Sequence, residues 1–241
     1  MTSITRAIIG LALLAAAATT AHAAELTVRF DGFAAGSRNG NIFGPNPNQS
    51  QSVAAGQFSF DVLDDPMNAY WDNSIAAFCI DVNNALVTGQ NVTYTIASAE
   101  SHLSATQFSN IGWLYDNFAD GLGSSVYDAA FQLALWELMY DSDPLSLLNG
   151  ADRGTFWSSG FGGARNDGQS WLDTLTQAGP AGQGYRASNY ELFVLLPHNP
   201  TNNQTLIIAR PVPEPTVVAL LGLGLLLMVA LRRRQVLATA S

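Results

Sequence analysis

The chain's 241 residues include ten arginines, no lysine and nineteen carboxylates, for a net charge of −9. Residues 24–213 hold eighteen of the acids against six arginines, a net −12, and such a surface repels phosphate backbones and excludes nucleic acid as the partner. That stretch of about 190 residues is long enough for one domain with its own core.

The first 23 residues predict a cleavable signal peptide. Arg6 supplies the positive start, residues 7–18 form an uncharged, mostly aliphatic run too short to span a bilayer, and Ala21, His22 and Ala23 make a small-x-small cleavage pattern. Cleavage is expected between Ala23 and Ala24, in front of a strand-like segment.

The first third of the ectodomain then reads as strands. Leu26, Val28 and Phe30 alternate with polar neighbours, as do Phe58, Phe60 and Val62, and Val92, Tyr94 and Ile96. Phe78, Ile80 and Val82 form another alternating set, which puts Cys79 on the opposite face with Ala77 and Asp81. Residues 32–57 read as a long polar connection containing Pro45 and Pro47.

The middle switches to helical period. Ser104 to Gln107 has the spacing of a capping box, Phe108, Ile111, Tyr115 and Phe118 follow at helical intervals, and Gly121 supplies a stop. A second helix starts near Ser125 and ends before Pro144. Residues 150–184 are glycine-rich, with a short helix expected around 170–177, and strands return at 190–196 and 204–209. Strands, then adjacent helices, then strands indicate an α+β fold: a β-rich, sandwich- or barrel-like ectodomain with an inserted helical layer.

At the C-terminal end Pro213, Glu214 and Pro215 precede sixteen uncharged residues, 216–231, and then Arg232, Arg233 and Arg234. Sixteen helical residues rise about 24 Å, short of the roughly 30 Å hydrocarbon core, a mismatch that bilayer thinning and snorkelling arginines absorb. The arginines place that end in the cytoplasm and the bulk of the chain outside. This tail resembles the PEP-CTERM sorting signal. The resemblance implies processing by an exosortase in a Gram-negative bacterium that makes extracellular polysaccharide. It also implies attachment to the inner membrane through the helix, and then a place on the cell surface or in the biofilm matrix. The chain thus divides into a signal peptide (1–23), an ectodomain (24–210), the sorting motif (211–215), a transmembrane helix (216–231) and an Arg-rich cytoplasmic tail (232–241).

Two features of the ectodomain stand out chemically. Cys79 is the one cysteine, so it is a buried inert residue, is joined to another chain, or is used in a reaction. From residue 129 to 139 the second helix is apolar all round except for Gln132 and Glu137, and a buried primary amide without partners costs on the order of 1–3 kcal/mol. One reaction accounts for both: the Cys79 thiol attacks the Gln132 side-chain carbonyl, ammonia leaves, and an internal thioester forms. The alternative is that Cys79 is a small core residue and Gln132 bonds to a neighbouring backbone.

The surrounding residues resemble the thioester domains of Gram-positive surface adhesins. Phe78, Cys79, Ile80 and Asp81 match the aromatic-Cys element. Phe131, Gln132, Leu133, Ala134, Leu135 and Trp136 match the Gln-x-x-aliphatic-Trp element, and the run from Ile111 to Phe118 matches an intervening helix. The resemblance implies a cross-link between Cys79 and Gln132, with Phe78 and Trp136 as packing residues of the motif. Phe131 departs from the threonine that often precedes the glutamine. The function so implied is that of an adhesin capturing an amine-bearing surface or matrix component in a single covalent event. It is neither an enzyme nor dependent on a cofactor or metal. The other reading is a non-covalent structural component of the polysaccharide matrix. Asp61, Asp64 and Asp65, or Asp141 and Asp143, offer oxygen ligands for calcium, but they lack EF-hand spacing and lie beside prolines as turn formers do.

Overall fold

The computed structural model describes residues 24–44, 50–65, 71, 73–142, 144–150, 154–178, 184–199 and 203–212, with positions 224, 225 and 228 beyond. The signal peptide up to Ala23, the sorting motif Pro213, Glu214 and Pro215, most of the expected span, and Arg232, Arg233 and Arg234 lie outside these. No helix among the described residues is long and apolar enough to cross a membrane.

Nine strands and four α-helices are described, with a 3-10 turn at Ala119–Gly121 after the second α-helix. In chain order they are β1 (Ala24–Phe33), β2 (Arg38–Phe43), β3 (Ser50–Ala55), β4 (Phe58–Asp64), β5 (Ser74–Cys79), β6 (Asn91–Ser98), α1 (Ala99–His102), α2 (Ala105–Phe118), α3 (Ser125–Tyr140), β7 (Trp157–Gly160), α4 (Gly163–Ala178), β8 (Tyr190–Pro197) and β9 (Leu206–Pro211). Six strands close an antiparallel barrel in the order β1-β4-β5-β9-β8-β6, with β6 pairing back onto β1. Register shifts in β1 between Thr27 and Val28 and between Phe30 and Gly32 supply the extra bend that closure requires. A smaller antiparallel sheet, β3-β2-β7, stands beside the barrel. The architecture is a β-rich barrel with a helical layer inserted between β6 and β8.

Where alternation is visible in the sequence, it marks barrel strands: Leu26 and Val28 of β1 are fully buried while Glu25 and Arg29 are exposed. In β5 the alternation breaks off. Ser74 and Ala76 are exposed, but Phe78 and Cys79 are both buried, because the helical layer covers the second face there. The strand stops at Cys79, so Ile80 and Val82 are not strand residues.

Residues 32–57 are not a plain connection. They contain the β2–β3 hairpin, in register from Arg38 opposite Ala55 to Phe43 opposite Ser50, with Phe43 stacked on Trp157 of β7 at 3.6 Å. The helix expected at 170–177 begins earlier, at Gly163, and buries the stripe Ala164, Gly168, Trp171, Leu172 and Leu175 against α3. Gly168 permits that approach, since a Cβ there would lie 2.9 Å from the Ala130 carbonyl oxygen.

Two helix starts follow their sequence signals. Ser104 caps α2 in a full capping box with Gln107, whose side-chain amide also donates to the Met139 carbonyl at 2.8 Å and ties α2 to α3. Ser124 caps α3, one residue before the expected start, and Asp128 Oδ1 accepts from the Gly123 N–H at 2.8 Å. Eleven consecutive residues of α3, 128–138, are buried. A helix enclosed on all sides has no face on which polar groups can meet water, so each must be matched within the protein.

Candidate functional site

The centre of α3 rests on the end of β5. Phe131 stacks on Phe78 with ring centroids 4.8 Å apart, and Tyr115 of α2 meets the Phe131 ring edge-on at 4.9 Å. One residue further along both elements, Gln132 meets Cys79. The Cys79 N–H donates to Gln132 Oε1 at 2.9 Å, and Gln132 Nε2 donates to the Cys79 carbonyl at 2.7 Å. Both residues are buried, at 0% and 1% exposure. The amide buried in the apolar helix is therefore matched by the peptide groups of the one cysteine, across 53 residues of chain. The Phe131 ring, stacked on Phe78 and met by Tyr115, holds this register.

The Cys79 sulfur faces the segment that follows it. The thiol donates to the Asp81 carbonyl at 3.0 Å and accepts from the Asp81 N–H at 3.3 Å. Burial, the dominant influence, pushes the thiol up to about 12, only partly offset by the Asp81 backbone contact and the nearby Trp136 indole. At neutral pH burial keeps the group a protonated thiol.

That segment is itself held tightly. The Asp81 carboxylate accepts from the Asn83 N–H at 2.9 Å and from Asn84 Nδ2 at 2.7 Å, a side-chain turn that reverses the chain. Ile80 N–H donates to the Thr205 carbonyl, and Tyr140 Oη accepts from the Val82 N–H at 3.1 Å. Gln132, Trp136 and Tyr140 lie at successive helical turns of α3, so one helix face serves the whole Cys79 segment. Trp136 is 4% exposed, and its indole lies against the Cys79 sulfur.

A cavity of about 560 Å³ opens directly onto Cys79 and Trp136. Phe30, Phe33 and Phe58 line one side, and β3 and the 82–88 segment flank it. The three phenylalanines pack edge-on or tilted against one another, with centroids 5.3–6.1 Å apart. No carboxylate, imidazole or guanidinium lines the cavity among the described residues.

Sequence reasoning singled out Cys79, Gln132, Phe78 and Trp136, and the structure brings all four together. It missed Tyr140, Thr205 and the Asp81 turn, although residues 81–84, Asp-Val-Asn-Asn, carry a legible turn signal directly after the cysteine. Two of the carboxylates weighed as calcium ligands have other partners. Asp61 pairs with Arg29 at 2.8 Å, and Asp141 accepts from the Thr155 and Phe156 N–H groups at 3.0 and 2.7 Å. Asp143 lies outside the described residues.

Glu137, the other polar residue of α3, faces away from the sulfur. Its Oε1 accepts from the Ser146 N–H at 2.6 Å and anchors the 141–147 segment. Burial raises its pKa from 4.5 to about 8, the Ser146 contact offsetting only part of the shift. Between these values the folded state holds a proton that the unfolded chain has lost, so stability falls as pH rises, by up to about 1.4 kcal/mol per pH unit. Wild-type protein should therefore lose melting temperature from pH 5 toward pH 8. In Glu137→Gln, which keeps the acceptor for Ser146, that decline should flatten; calorimetry across the range checks this.

Comparison with known proteins adds two findings. Residues 211–234 match the PEP-CTERM protein-sorting motif, which implies export, C-terminal anchoring and processing by an exosortase. No curated protein sequence matches the chain. Among solved structures, the fold is similar to the N-terminal thioester domain of a surface protein from Clostridium perfringens, at 17% identity and TM-score 0.42, covering 73% of this chain and 99% of that one. It is also similar to the N-terminal thioester domain of fibronectin-binding protein SfbI from Streptococcus pyogenes, at 14% identity and TM-score 0.42, covering 72% and 98%. The N-terminal domain of the Streptococcus pyogenes pilus tip adhesin Cpa aligns at 11% identity and TM-score 0.40, covering 76% and 98%.

Proposed function

We propose that this chain is a surface adhesin module that captures amine-bearing partners covalently through an internal thioester between Cys79 and Gln132. The observation that carries the reading is the paired hydrogen bonding of the Gln132 amide to the Cys79 peptide, at 2.9 and 2.7 Å, inside a water-poor core. Closure requires the sulfur to leave Asp81 and add to the Gln132 amide carbon. The Cys79 N–H already points at Oε1 and would stabilise that oxygen as charge develops on it. The C–N bond to Nε2 then breaks and ammonia departs with the thiol proton. In capture, a primary amine adds to the same carbon, the C–S bond breaks, the amine's proton passes to sulfur, and an amide and a free thiol remain.

The cavity chemistry favours amines over water and alcohols. Amines attack thioesters without assistance, whereas hydroxyl groups need a general base, and none lines the cavity among the described residues. Enclosure slows hydrolysis further. The absence of lysine from the chain removes the ε-amines that could consume a sister molecule's thioester.

A second reading is a non-covalent structural component of the extracellular matrix with an inert Cys79. It is favoured by the same hydrogen bonds, which satisfy the Gln132 amide without any reaction. Intact mass separates the two. The thioester form is lighter by one ammonia and gains methylamine at Gln132; a chain of full mass that ignores methylamine belongs to the second reading.

A further inference from the structure

The cavity beside Cys79 is bounded by an open strand edge. β3 is the outer strand of the β3-β2-β7 sheet, and among the described residues no strand and no hydrogen bond occupies its outer side. Four consecutive residues of β3, Gln51, Ser52, Val53 and Ala54, line the cavity. Successive strand side chains point to opposite faces, so contact with four in a row means that the cavity runs along the strand's edge. The facing wall is the 82–88 segment, pinned by the Asp81 turn and by Asn203, which accepts from the Val87 N–H at 3.2 Å.

Exposed strand edges are ordinarily blunted by charge, proline or a bulge. β3, with the sequence Ser-Gln-Ser-Val-Ala-Ala, has none of these. The groove also contains a buried polar atom without a partner among the described residues, the Gln204 Oε1 acceptor. The surrounding ectodomain, at a net −12, attracts cationic chains.

We propose that an extended segment of a partner polypeptide adds as a strand to the outer edge of β3 and lays a lysine side chain along the phenylalanine wall toward Cys79. This rests on the capture reading for its chemistry, but the docking itself does not require a covalent step. Backbone pairing supplies affinity with little demand on sequence, and the groove selects a side chain with an apolar stem and an amine tip.

The test uses the full chain with Cys79→Ala, in which no covalent bond can form. The probe is a threonine- and valine-rich peptide of about seven residues with one central lysine, compared with the same peptide N-methylated at alternate residues. Saturating peptide should slow backbone amide exchange at 51–54 about tenfold or more, and the N-methylated form should not. In wild type the unmodified peptide should form its adduct about tenfold faster than methylamine at equal free amine, owing to proximity. No protection, equal protection by both peptides, or protection that grows with protein concentration alone, as pairing of two copies through β3 would give, overturns the proposal. Protection without any methylamine adduct in wild type leaves docking standing and removes the thioester; an adduct without protection does the reverse.

Discussion

Replacing Cys79 by alanine is expected to abolish amine incorporation completely and to restore the chain's full mass. Because the chain has a single cysteine, each signal is unambiguous: the thioester form shows no titratable thiol, aminolysis releases one, and the variant shows none in any state. The thiol must be counted in denaturant, because the buried group, pushed up to about 12, reacts slowly in the folded protein whether or not it has ever been linked. Stability gives an independent reading. A covalent bond between Cys79 and Gln132 closes a span of 53 residues, which chain entropy values at about 4 kcal/mol. Loss of the sulfur alone from a packed site costs about 1 kcal/mol. Denaturant unfolding of wild type and Cys79→Ala should therefore differ by the larger amount; a difference near the smaller one, with no mass deficit, rejects the cross-link.

Gln132→Ala should be the more damaging substitution under either reading. It strips both partners from the Cys79 peptide, leaving a buried N–H and a buried C=O unmatched, each at about 1–3 kcal/mol. It also opens a void in the middle of a helix enclosed on all sides. A loss on the order of 4 kcal/mol, before any cross-link is counted, is expected in urea unfolding. Gln132→Glu refines the test. One carboxylate oxygen can still accept from the Cys79 N–H, but the other then faces the Cys79 carbonyl oxygen with no proton between them. Protonation restores that donor, so the folded state holds the proton more tightly than the unfolded chain does. This variant should gain stability as pH falls from 8 to 5 more steeply than wild type, whose own slope comes from Glu137, and a profile parallel to wild type would mean that Nε2 does not face the carbonyl.

Many of the elements that sequence reasoning finds, α3 and β9 apart, share one property: their burial is one-sided. Leu26 and Val28, or the capped start of α2, announce themselves because solvent lies opposite. The β2–β3 hairpin does not, since Ile42 and Ala55 are its fully buried residues and glycine, asparagine, serine and glutamine fill much of the rest. α4 is half hidden for a similar reason, as Gly163 and Gly168 weaken the helical signal in its first turns while permitting close packing on α3. At the site, Gln132 is legible because an amide in a wholly apolar helix demands a partner. That the partner is the peptide of Cys79, with the sulfur turned toward Asp81, depends on the Phe78–Phe131 stack and on where β5 stops. Neither is written in any local pattern. The edge of β3 is less legible still, since an open strand is defined by what does not pair with it.

The order of strands also decides how the molecule bears mechanical load. β9 is the barrel strand nearest the sorting segment, so tension from that side enters the fold through it. β9 is laced to β8 across six residue pairs, from Tyr190–Pro211 to Leu195–Leu206, but to β5 across only two, Phe78–Ile207 and Cys79–Leu206. Pulling along β9 therefore shears a long seam on one side and a short one on the other. The short seam is the one beside the cysteine, at the end of β9 away from the sorting segment, so a pull entering at Pro211 loads the β8 seam before it reaches the residues paired with Phe78 and Cys79.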